Sequence, residues 1–339
     1  MNTKYTFKIL LVIAGLLLFI NAQAQEFSAV YNGTTIYYKI TSSNSVEVTA
    51  KPIPGKEKEY YISCYSGNVV IPNTIVYNGT IFNVTSIDNF AFFGCEDLTS
   101  ITIPANITSI ANDFISDGGY KGHESGLQEI IVSEQNQYYT AIDGVLFNKS
   151  KSIVICFPPQ KATAYYTIPN SVTHIGRSAF YKCTRLTNII IPSSITHIGF
   201  GAFSYCTNLT NIIIPNSVKS ISEFAFQGCV GLINVDIPEG ITKIECGIFA
   251  NCTALRRVGI PNCVTYIDKS AFAECINLIN IIIPNNVEVI EWRAFYKCMG
   301  LTDINIPNSA TKVENSAFEG CFLQKITIAN TIYNVMLLI

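Results

Sequence analysis

The sequence predicts a mainly β protein: a right-handed β-solenoid of about ten to eleven coils with short helical turns and a small N-terminal β cap. Three observations support this fold class. The second half of the chain repeats with a strict period of 23 residues, which is typical of stacked coils. Each repeat contains short β-branched segments with alternating inward and outward positions. Of the 339 residues, 49% are hydrophobic and only 14% are charged, as expected for a core that continues from coil to coil.

The chain divides in sequence into a targeting segment, a cap and a repeat region. The predicted segments are a signal peptide at 1–24, an N-terminal β cap at 25–68 and a solenoid at 69–339, irregular with hairpin insertions over 69–168 and regular over 169–328.

The N-terminus has the three parts of an export signal. Lys4 and Lys8 form a basic region, and residues 9–20 form an apolar run. Ala22 and Ala24 are the two small residues of a small-x-small cleavage pattern. The apolar run is shorter than the about 20 residues that a spanning helix needs. We therefore expect cleavage near residue 24 and no membrane insertion afterwards; an uncleaved anchor is the alternative.

The segment that follows the signal carries no repeat. It contains two strand-like stretches, FSAVYNGTTIYYKIT and SVEVTA. A solenoid needs a terminal cap because its first coil would otherwise expose its apolar face. This segment is therefore predicted to be that cap.

The irregular part of the repeat region is predicted to contain two hairpins. Asn78 and Gly79 lie between two β-branched runs and form a two-residue turn sequence. Residues 142–157 show the same arrangement, with a turn near 148–151. We expect both hairpins to be insertions between coils.

Several residue types mark the 23-residue period independently. Proline, phenylalanine and cysteine each recur seven times: Pro169, Pro192, Pro215, Pro238, Pro261, Pro284 and Pro307; Phe180, Phe203, Phe226, Phe249, Phe272, Phe295 and Phe318; Cys183, Cys206, Cys229, Cys252, Cys275, Cys298 and Cys321.

Each repeat is predicted to hold two short strands and a turn. Its L-x-x-I-x-I segment is the strand signature of leucine-rich repeats. Alternation places Ile189 and Ile191 inward and Ile190 outward, and Pro192 ends the strand because it has no N–H to donate. A second short β segment follows, and the Ala-Phe pair is expected to form the helical turn.

The last repeat stops near Ile339 without a polar cap, so we expect the tail to fold back, another chain to cover it, or the reading frame to be truncated.

These residues resemble a known family. The repeat LTNIIIPNSVKSISEFAFQGC is similar to the BspA-type leucine-rich repeat of bacterial surface proteins, and the hairpin segment DGVLFNKSKSIVICFP resembles an insertion in that family. The resemblance covers residues 69–328. It implies an exported protein, secreted or at the surface of a Gram-negative bacterium, related to adhesins that bind surface proteins. It implies no catalytic motif.

The remaining candidates for chemistry favour structural roles. The periodic cysteines share an inward position and are predicted to be buried free thiols; no C-x-x-C spacing indicates zinc. His174 and His197 are 23 residues apart, but no third ligand follows in their column. We therefore predict no metal and no cofactor. A net charge of −2 excludes a nucleic-acid partner, because no basic surface is available for phosphates.

The outward columns of the first strand are the predicted ligand-binding surface. Isoleucines and amide side chains recur at these outward positions, although the core does not require them there. A contiguous exposed apolar surface is typical of an interaction site. The alternative explanation is that isoleucine recurs only because it favours β-strands. Trp292, Tyr266, Phe200 and Phe224 offer a rival patch on the loop-bearing side. The predicted binding residues are Asn188, Ile190, Asn211, Ile213, Asn234, Asp236, Arg257, Asn280, Ile282 and Asp303.

The sequence therefore predicts an exported, non-catalytic binding module that adheres to a protein of a host or neighbouring cell surface. A carbohydrate-binding surface protein is one alternative; it would need aromatic platforms along the strand face, and the outward columns lack aromatic residues. A polysaccharide-acting enzyme is the other, and it needs paired carboxylates on neighbouring strands; none were found on that face.

Overall fold

The computed structural model describes residues 25–51, 65–116 and 125–328. The chain forms two units, residues 1–144 and 145–339. The predicted signal peptide and the C-terminal tail after residue 328 lie outside the described residues. The described ranges consist of strands and turns and contain no helix, and hence no helix that could span a membrane.

The first unit begins with an antiparallel meander, formed by the two strand-like stretches that follow residue 25. β1 and β2 are joined at Asn32 and Gly33, whose φ angles of 47° and 79° fit a type I′ turn. Its strands are β1 (Glu26–Tyr31), β2 (Thr34–Ser42), β3 (Ser45–Thr49), β4 (Gly67–Val70), β5 (Thr74–Tyr77), β6 (Thr80–Ile87), β7 (Leu98–Ile103), β8 (Ser109–Ile110), β9 (Glu129–Val132) and β10 (Tyr139–Ile142).

The irregular repeats of the first unit already stack in parallel. β4, β7 and β9 form one parallel sheet. β5 and β6 form the predicted hairpin, with Asn78 and Gly79 at positive φ in its turn. β6 also pairs in parallel with β3 on one side and with β8 on the other, so the meander continues directly into the repeat strands.

The second unit contains the regular coils. β11 and β12 form the predicted antiparallel hairpin, and the following strands pair in parallel one coil apart. Its strands are β11 (Val145–Asn148), β12 (Ile153–Cys156), β13 (Tyr165–Thr167), β14 (His174–Ile175), β15 (Asn188–Ile190), β16 (His197–Ile198), β17 (Asn211–Ile212), β18 (Ser220–Ile221), β19 (Asn234–Asp236), β20 (Lys243–Ile244), β21 (Arg257–Gly259), β22 (Tyr266–Ile267), β23 (Asn280–Ile281), β24 (Val289–Ile290), β25 (Asp303–Ile306), β26 (Lys312–Val313) and β27 (Lys325–Ile328).

Two columns of parallel strands run through this unit. The first strand of each coil belongs to the sheet β13-β15-β17-β19-β21-β23, and β25 pairs with β27. The second strand of each coil belongs to β12-β14-β16-β18 or to β20-β22-β24-β26. The solenoid arrangement is therefore present in the second unit; the handedness and the total number of coils stay predictions.

Stacked phenylalanines fill the centre of the coils. The rings from Phe180 to Phe318 are buried, and successive centroids lie 5.0–5.8 Å apart with interplanar angles of 15° or less. The period of 23 residues brings each ring onto its counterpart in the next coil. Each coil therefore buries its apolar residues only through its neighbours.

The periodic cysteines are free and buried, as predicted. Each thiol donates to the carbonyl of the phenylalanine 26 residues earlier; for example, Cys206 Sγ lies 3.0 Å from Phe180 O and Cys229 Sγ 3.1 Å from Phe203 O. Burial raises the pKa of the thiols of Cys183, Cys229, Cys252, Cys275 and Cys298, to about 12 for Cys275. The reactive thiolate is suppressed at these five positions, so these cysteines act as structural residues.

The prediction of short helical turns is wrong. Each Ala-Phe segment lies between two residues with left-handed backbone, and single left-handed residues interrupt an α-helix. The phenylalanine N–H of each pair bonds to the next coil instead: Phe180 N donates to Ala202 O at 2.8 Å and Phe203 N to Ala225 O at 2.7 Å. The left-handed positions are Ser178, Gly201, Phe224, Gly247, Ser270, Arg293 and Ser316, and Lys182, Tyr205, Gly228, Asn251, Glu274, Lys297 and Gly320.

Two of these turn positions hold bulky aromatic rings that need a glycine in the next coil. A Cβ added to Gly247 would collide with the ring of Phe224, and one added to Gly228 would lie 2.5 Å from Cδ1 of Tyr205. Both pairs are 23 residues apart. The missing side chain in one coil therefore accommodates the ring of the coil before it.

Replacing Gly247 with alanine is expected to destabilise the second unit through both backbone strain and this collision. Gly240→Ala is a matched control, because Gly240 also has a positive φ but an added Cβ there would meet only Lys219 Nζ, at 3.9 Å. We expect Gly247→Ala to cost about 1–3 kcal/mol more than Gly240→Ala in denaturant unfolding. Equal costs for the two variants would show that the ring of Phe224 moves aside freely.

Candidate functional site

The predicted binding positions lie on the outward side of the first strand column, which we call the strand face. In β15, Ile189 is 3% exposed while Ile190 is 58% exposed, so the alternation is as predicted. Neighbouring coils are in register along the face. The first outward positions align as Asn188, Asn211, Asn234, Arg257 and Asn280.

Isoleucines form the apolar part of the strand face. Ile190 and Ile213 occupy neighbouring coils, and Ile213 is 75% exposed. Ile282, three coils further on, is 83% exposed. The outward side chains are not needed for the core, because their inward neighbours already fill it. Exposed apolar groups therefore lie on a backbone fixed by parallel strand pairing.

An ion pair interrupts this isoleucine column. Arg257 Nη2 lies 2.9 Å from Asp236 Oδ1 on the preceding coil. Asp236 is aligned with Gly259, and a Cβ at Gly259 would collide with the Asp236 carboxylate. Glycine thus leaves room for the carboxylate. Both charged side chains are more than half exposed, so the pair contributes at most about 1 kcal/mol to folding and remains accessible to a ligand.

Other residues extend the face beyond the predicted set. Tyr165 is 71% exposed and aligned with Asn188. Ile233 and Ile279 are also exposed, and Ile233 lies one residue before the exposed Asn234. Asp303 is exposed as predicted, and its Oδ2 accepts a hydrogen bond from Thr302 Oγ1 at 2.8 Å. Ile233 and Ile279, two repeats apart, lie within the L-x-x-I-x-I segment and are not among the predicted binding residues.

The second strand column carries a charged network that the sequence reading missed. Lys243 Nζ lies 2.6 Å from Glu245 Oε2 and 2.7 Å from Asp268 Oδ2. Desolvation lowers the pKa of Lys243, but hydrogen bonds to Asp268 and Glu245 raise this pKa by more, so that it lies above its ordinary value. The carboxylates recur every 23 residues, at Glu245, Asp268, Glu291 and Glu314.

The next coils continue this network. Lys312 Nζ contacts Glu314 at 2.5 Å and Glu291 at 3.4 Å. Tyr266 donates its hydroxyl to Glu291 Oε1 at 2.6 Å, and this bond raises the pKa of Tyr266 to about 12. These carboxylates on neighbouring strands are ion-paired or hydrogen-bonded, which is the arrangement of a structural network between coils.

The two periodic histidines also stack. The rings of His174 and His197 lie 4.4 Å apart at an angle of 4°, and each Nδ1 lies 2.8 Å from the hydroxyl of the preceding threonine. His197 is exposed, whereas His174 is half-buried. Within the described ranges, no group of three or more His, Cys, Asp or Glu side chains is placed to hold a metal ion.

The rival aromatic patch is divided in the structure. Phe200 and Phe224 are neighbours at 5.4 Å in the turns, whereas Tyr266 belongs to a strand of the second column. Trp292 lies in a turn further along the unit, next to Arg293. Of these four residues, only Phe200 and Phe224 have their rings in contact.

Comparison with known proteins gives one family match and several structural likenesses. A family model described as the BspA type leucine rich repeat region matches in six copies, over residues 58–119, 155–279 and 220–336. No relative among curated protein sequences matches.

The solved structures that resemble this chain are bacterial leucine-rich repeat proteins. A leucine-rich repeat protein from Eubacterium ventriosum has a TM-score of 0.66 at 23% identity, covering 93% of this chain and 98% of that one; this likeness shows the fold. A leucine rich cell surface protein from Faecalibacterium prausnitzii has a TM-score of 0.39 at 21% identity, covering 90% and 95%. The pneumococcal vaccine antigen PcpA has a TM-score of 0.44 at 15% identity, covering 90% and 99%.

Proposed function

Because this chain belongs to the family of BspA-type leucine-rich repeat proteins, we propose that it is an exported, non-catalytic binding module that holds a protein ligand on its strand face. The export signal predicted for residues 1–24 supports a secreted or surface location. Adhesion to a protein of a host or neighbouring cell is the role that fits such a module.

The exposed isoleucines carry this proposal. Ile190, Ile213 and Ile282 keep more than half of their surface in water, although another coil holds the charged Asp236 at the same position. Burying one such side chain in an interface contributes about 1.5–3 kcal/mol. Apolar groups concentrated on a rigid surface are typical of sites that a partner covers.

The polar groups of the face supply the specificity of the same interface. Exposed asparagines repeat along it and can both donate to and accept from the peptide groups of a partner. Asp236 and Arg257 add one charge of each sign at its centre. A protein surface, which combines apolar side chains with peptide groups and charges, matches this mixture.

The alternatives fit the strand face less well. A sugar-binding face needs aromatic platforms, and the described strand face offers Tyr165 at its edge. An enzyme that cleaves polysaccharides needs carboxylates free to act as acid and nucleophile or base. The carboxylates found on neighbouring strands, such as Glu245 and Asp268, share a lysine instead.

The test is a binding screen of the mature protein against extracellular matrix proteins and glycans, followed by substitution. A variant with Asn211, Ile213, Asn234 and Ile282 changed to lysine should weaken binding to the protein ligand about tenfold or more, because it replaces the centre of the interface. The affinity is measured by surface plasmon resonance.

Ile276→Lys is the matched control, because Ile276 is an exposed isoleucine of the same unit that lies in a turn before the strand. It should bind like the unchanged protein. Undiminished binding by the fourfold variant would refute the assignment to the strand face, and binding of glycans alone would refute the protein ligand.

A further inference from the structure

A second surface of the repeat unit, away from the strand face, holds an arginine between aromatic rings. The Cζ atom of Arg293 lies 4.4 Å from the ring centroid of Trp292 and 4.4 Å from that of Tyr296. Lys297 Nζ lies 4.9 Å from the Tyr296 ring. We call Trp292, Arg293, Tyr296 and Lys297 the arginine cluster.

The guanidinium of Arg293 has no acidic partner. Among the described residues it forms no ion pair and no hydrogen bond, and its buried Nε lacks an acceptor. Neither Nη atom is fully buried, and the Arg293 side chain as a whole is only half-buried. A ring-stacked guanidinium is fixed in place while its end still offers two parallel N–H donors. Such a group is ready to bind a planar anion with two oxygens.

The backbone at Arg293 gives no structural reason for an arginine. Its φ angle is 56°, a left-handed conformation that glycine adopts most easily. Glycine occupies the equivalent position in two other coils and serine in three, the remaining one being Phe224. Arginine is the one cationic residue at this position among the seven repeats, so the fold does not explain why it is there.

The neighbouring residues define what kind of anion fits. Trp292 is 43% exposed and provides an apolar ring beside the guanidinium. Lys297 is only loosely paired, at 3.7 Å from Glu274. Lys269 is exposed on the preceding coil, where Ser270 N donates to Trp292 O. The ligand should therefore carry a negative charge beside a flat, weakly polar face.

We propose that the arginine cluster binds acidic glycans, through a carboxylate attached to a pyranose ring. The carboxylate pairs with the two Nη groups of Arg293, and the ring lies against Trp292. Lys297 and Lys269 add an attractive field around this contact. The site is separate from the proposed protein-binding strand face, so each can be lost without the other.

The test uses the mature protein and three defined sugars in isothermal titration calorimetry at low salt. Sialyllactose carries the carboxylate of a sialic acid, and trigalacturonate carries the carboxylates of uronic acids. Lactose is the neutral counterpart of sialyllactose. We expect binding of at least one acidic sugar, weaker binding at high salt, and no binding of lactose. Which acidic sugar binds distinguishes a sialylated source from a uronate source.

Arg293→Lys keeps the charge but loses the two-pronged contact, so it should weaken binding of the acidic sugar about tenfold or more. Trp292→Ala should weaken it as well, and Arg256→Lys, an exposed arginine before β21, is the control without effect. Thermal unfolding identifies any variant that fails to fold.

The proposal is overturned if no acidic sugar binds, if lactose binds as tightly as sialyllactose, or if folded Arg293→Lys binds unchanged. Because the fourfold strand-face variant should keep its glycan binding, failure here leaves the proposed protein-binding function untouched.

Discussion

Phe226→Ala is expected to destabilise the second unit by about 3–5 kcal/mol, the usual cost of truncating a buried phenylalanine. The Phe226 ring is stacked between Phe203 and Phe249, at 5.4 Å from each. Its removal leaves a cavity that two neighbouring coils line, and the strand pairing on both sides restricts their collapse.

The effect is measured by denaturant unfolding and by hydrogen exchange resolved along the chain. Because each coil contacts only its neighbours, faster exchange should centre on the coils of residues 203–249. Phe322→Ala is the control, since Phe322 is 66% exposed and should cost no more than about 0.5 kcal/mol. A uniform loss of protection throughout the unit would contradict this nearest-neighbour behaviour.

Asn136→Ala is expected to cost the first unit about 2–4 kcal/mol. Asn136 is fully buried, and its Nδ2 donates to Pro104 O at 2.8 Å and to Ile107 O at 2.9 Å. Its Oδ1 accepts from the N–H groups of Tyr138 and Tyr139, both at 2.8 Å. The substitution leaves two buried carbonyl groups without these donors, and that penalty dominates the loss.

Asn106→Ala is the matched control in the same unit. Asn106 also bonds a backbone carbonyl, with Nδ2 3.2 Å from Asn73 O, but at an accessible site where water can replace it. We expect a cost of about 1 kcal/mol or less there. Similar losses for both variants in denaturant unfolding would mean that water reaches the carbonyls that Asn136 satisfies.

The proposed functional surfaces and the structural columns occupy different positions of the same repeat. Inward positions hold phenylalanine, cysteine and isoleucine in nearly every coil, whereas the strand face and the turns vary from coil to coil. Folding stability therefore depends mainly on the inward residues. This separation lets the strand-face and arginine-cluster variants test binding without removing the core.

Much of the candidate site was predictable, because alternation along a strand determines which side chains point outward. Ile190 and Ile213 were placed correctly on that basis. The position of Asp236 over Gly259 was not predictable, since it depends on how two side chains from neighbouring coils share space. The pairing of Lys243 with Asp268 was not predictable either, because the two residues occupy different positions of the 23-residue repeat.

The sequence by itself determined the period, the inward columns, both hairpins and the family. It could do so because every inward position meets its own counterpart one coil away, so a single repeated pattern records the packing. Only the tertiary structure decided the turns and the arginine cluster. Left-handed backbone occurs there at serine, lysine, phenylalanine and arginine alike, because hydrogen bonds between coils impose it whatever the side chain. The contacts of Arg293 and Asn136 likewise arise from folding in three dimensions and leave no periodic trace.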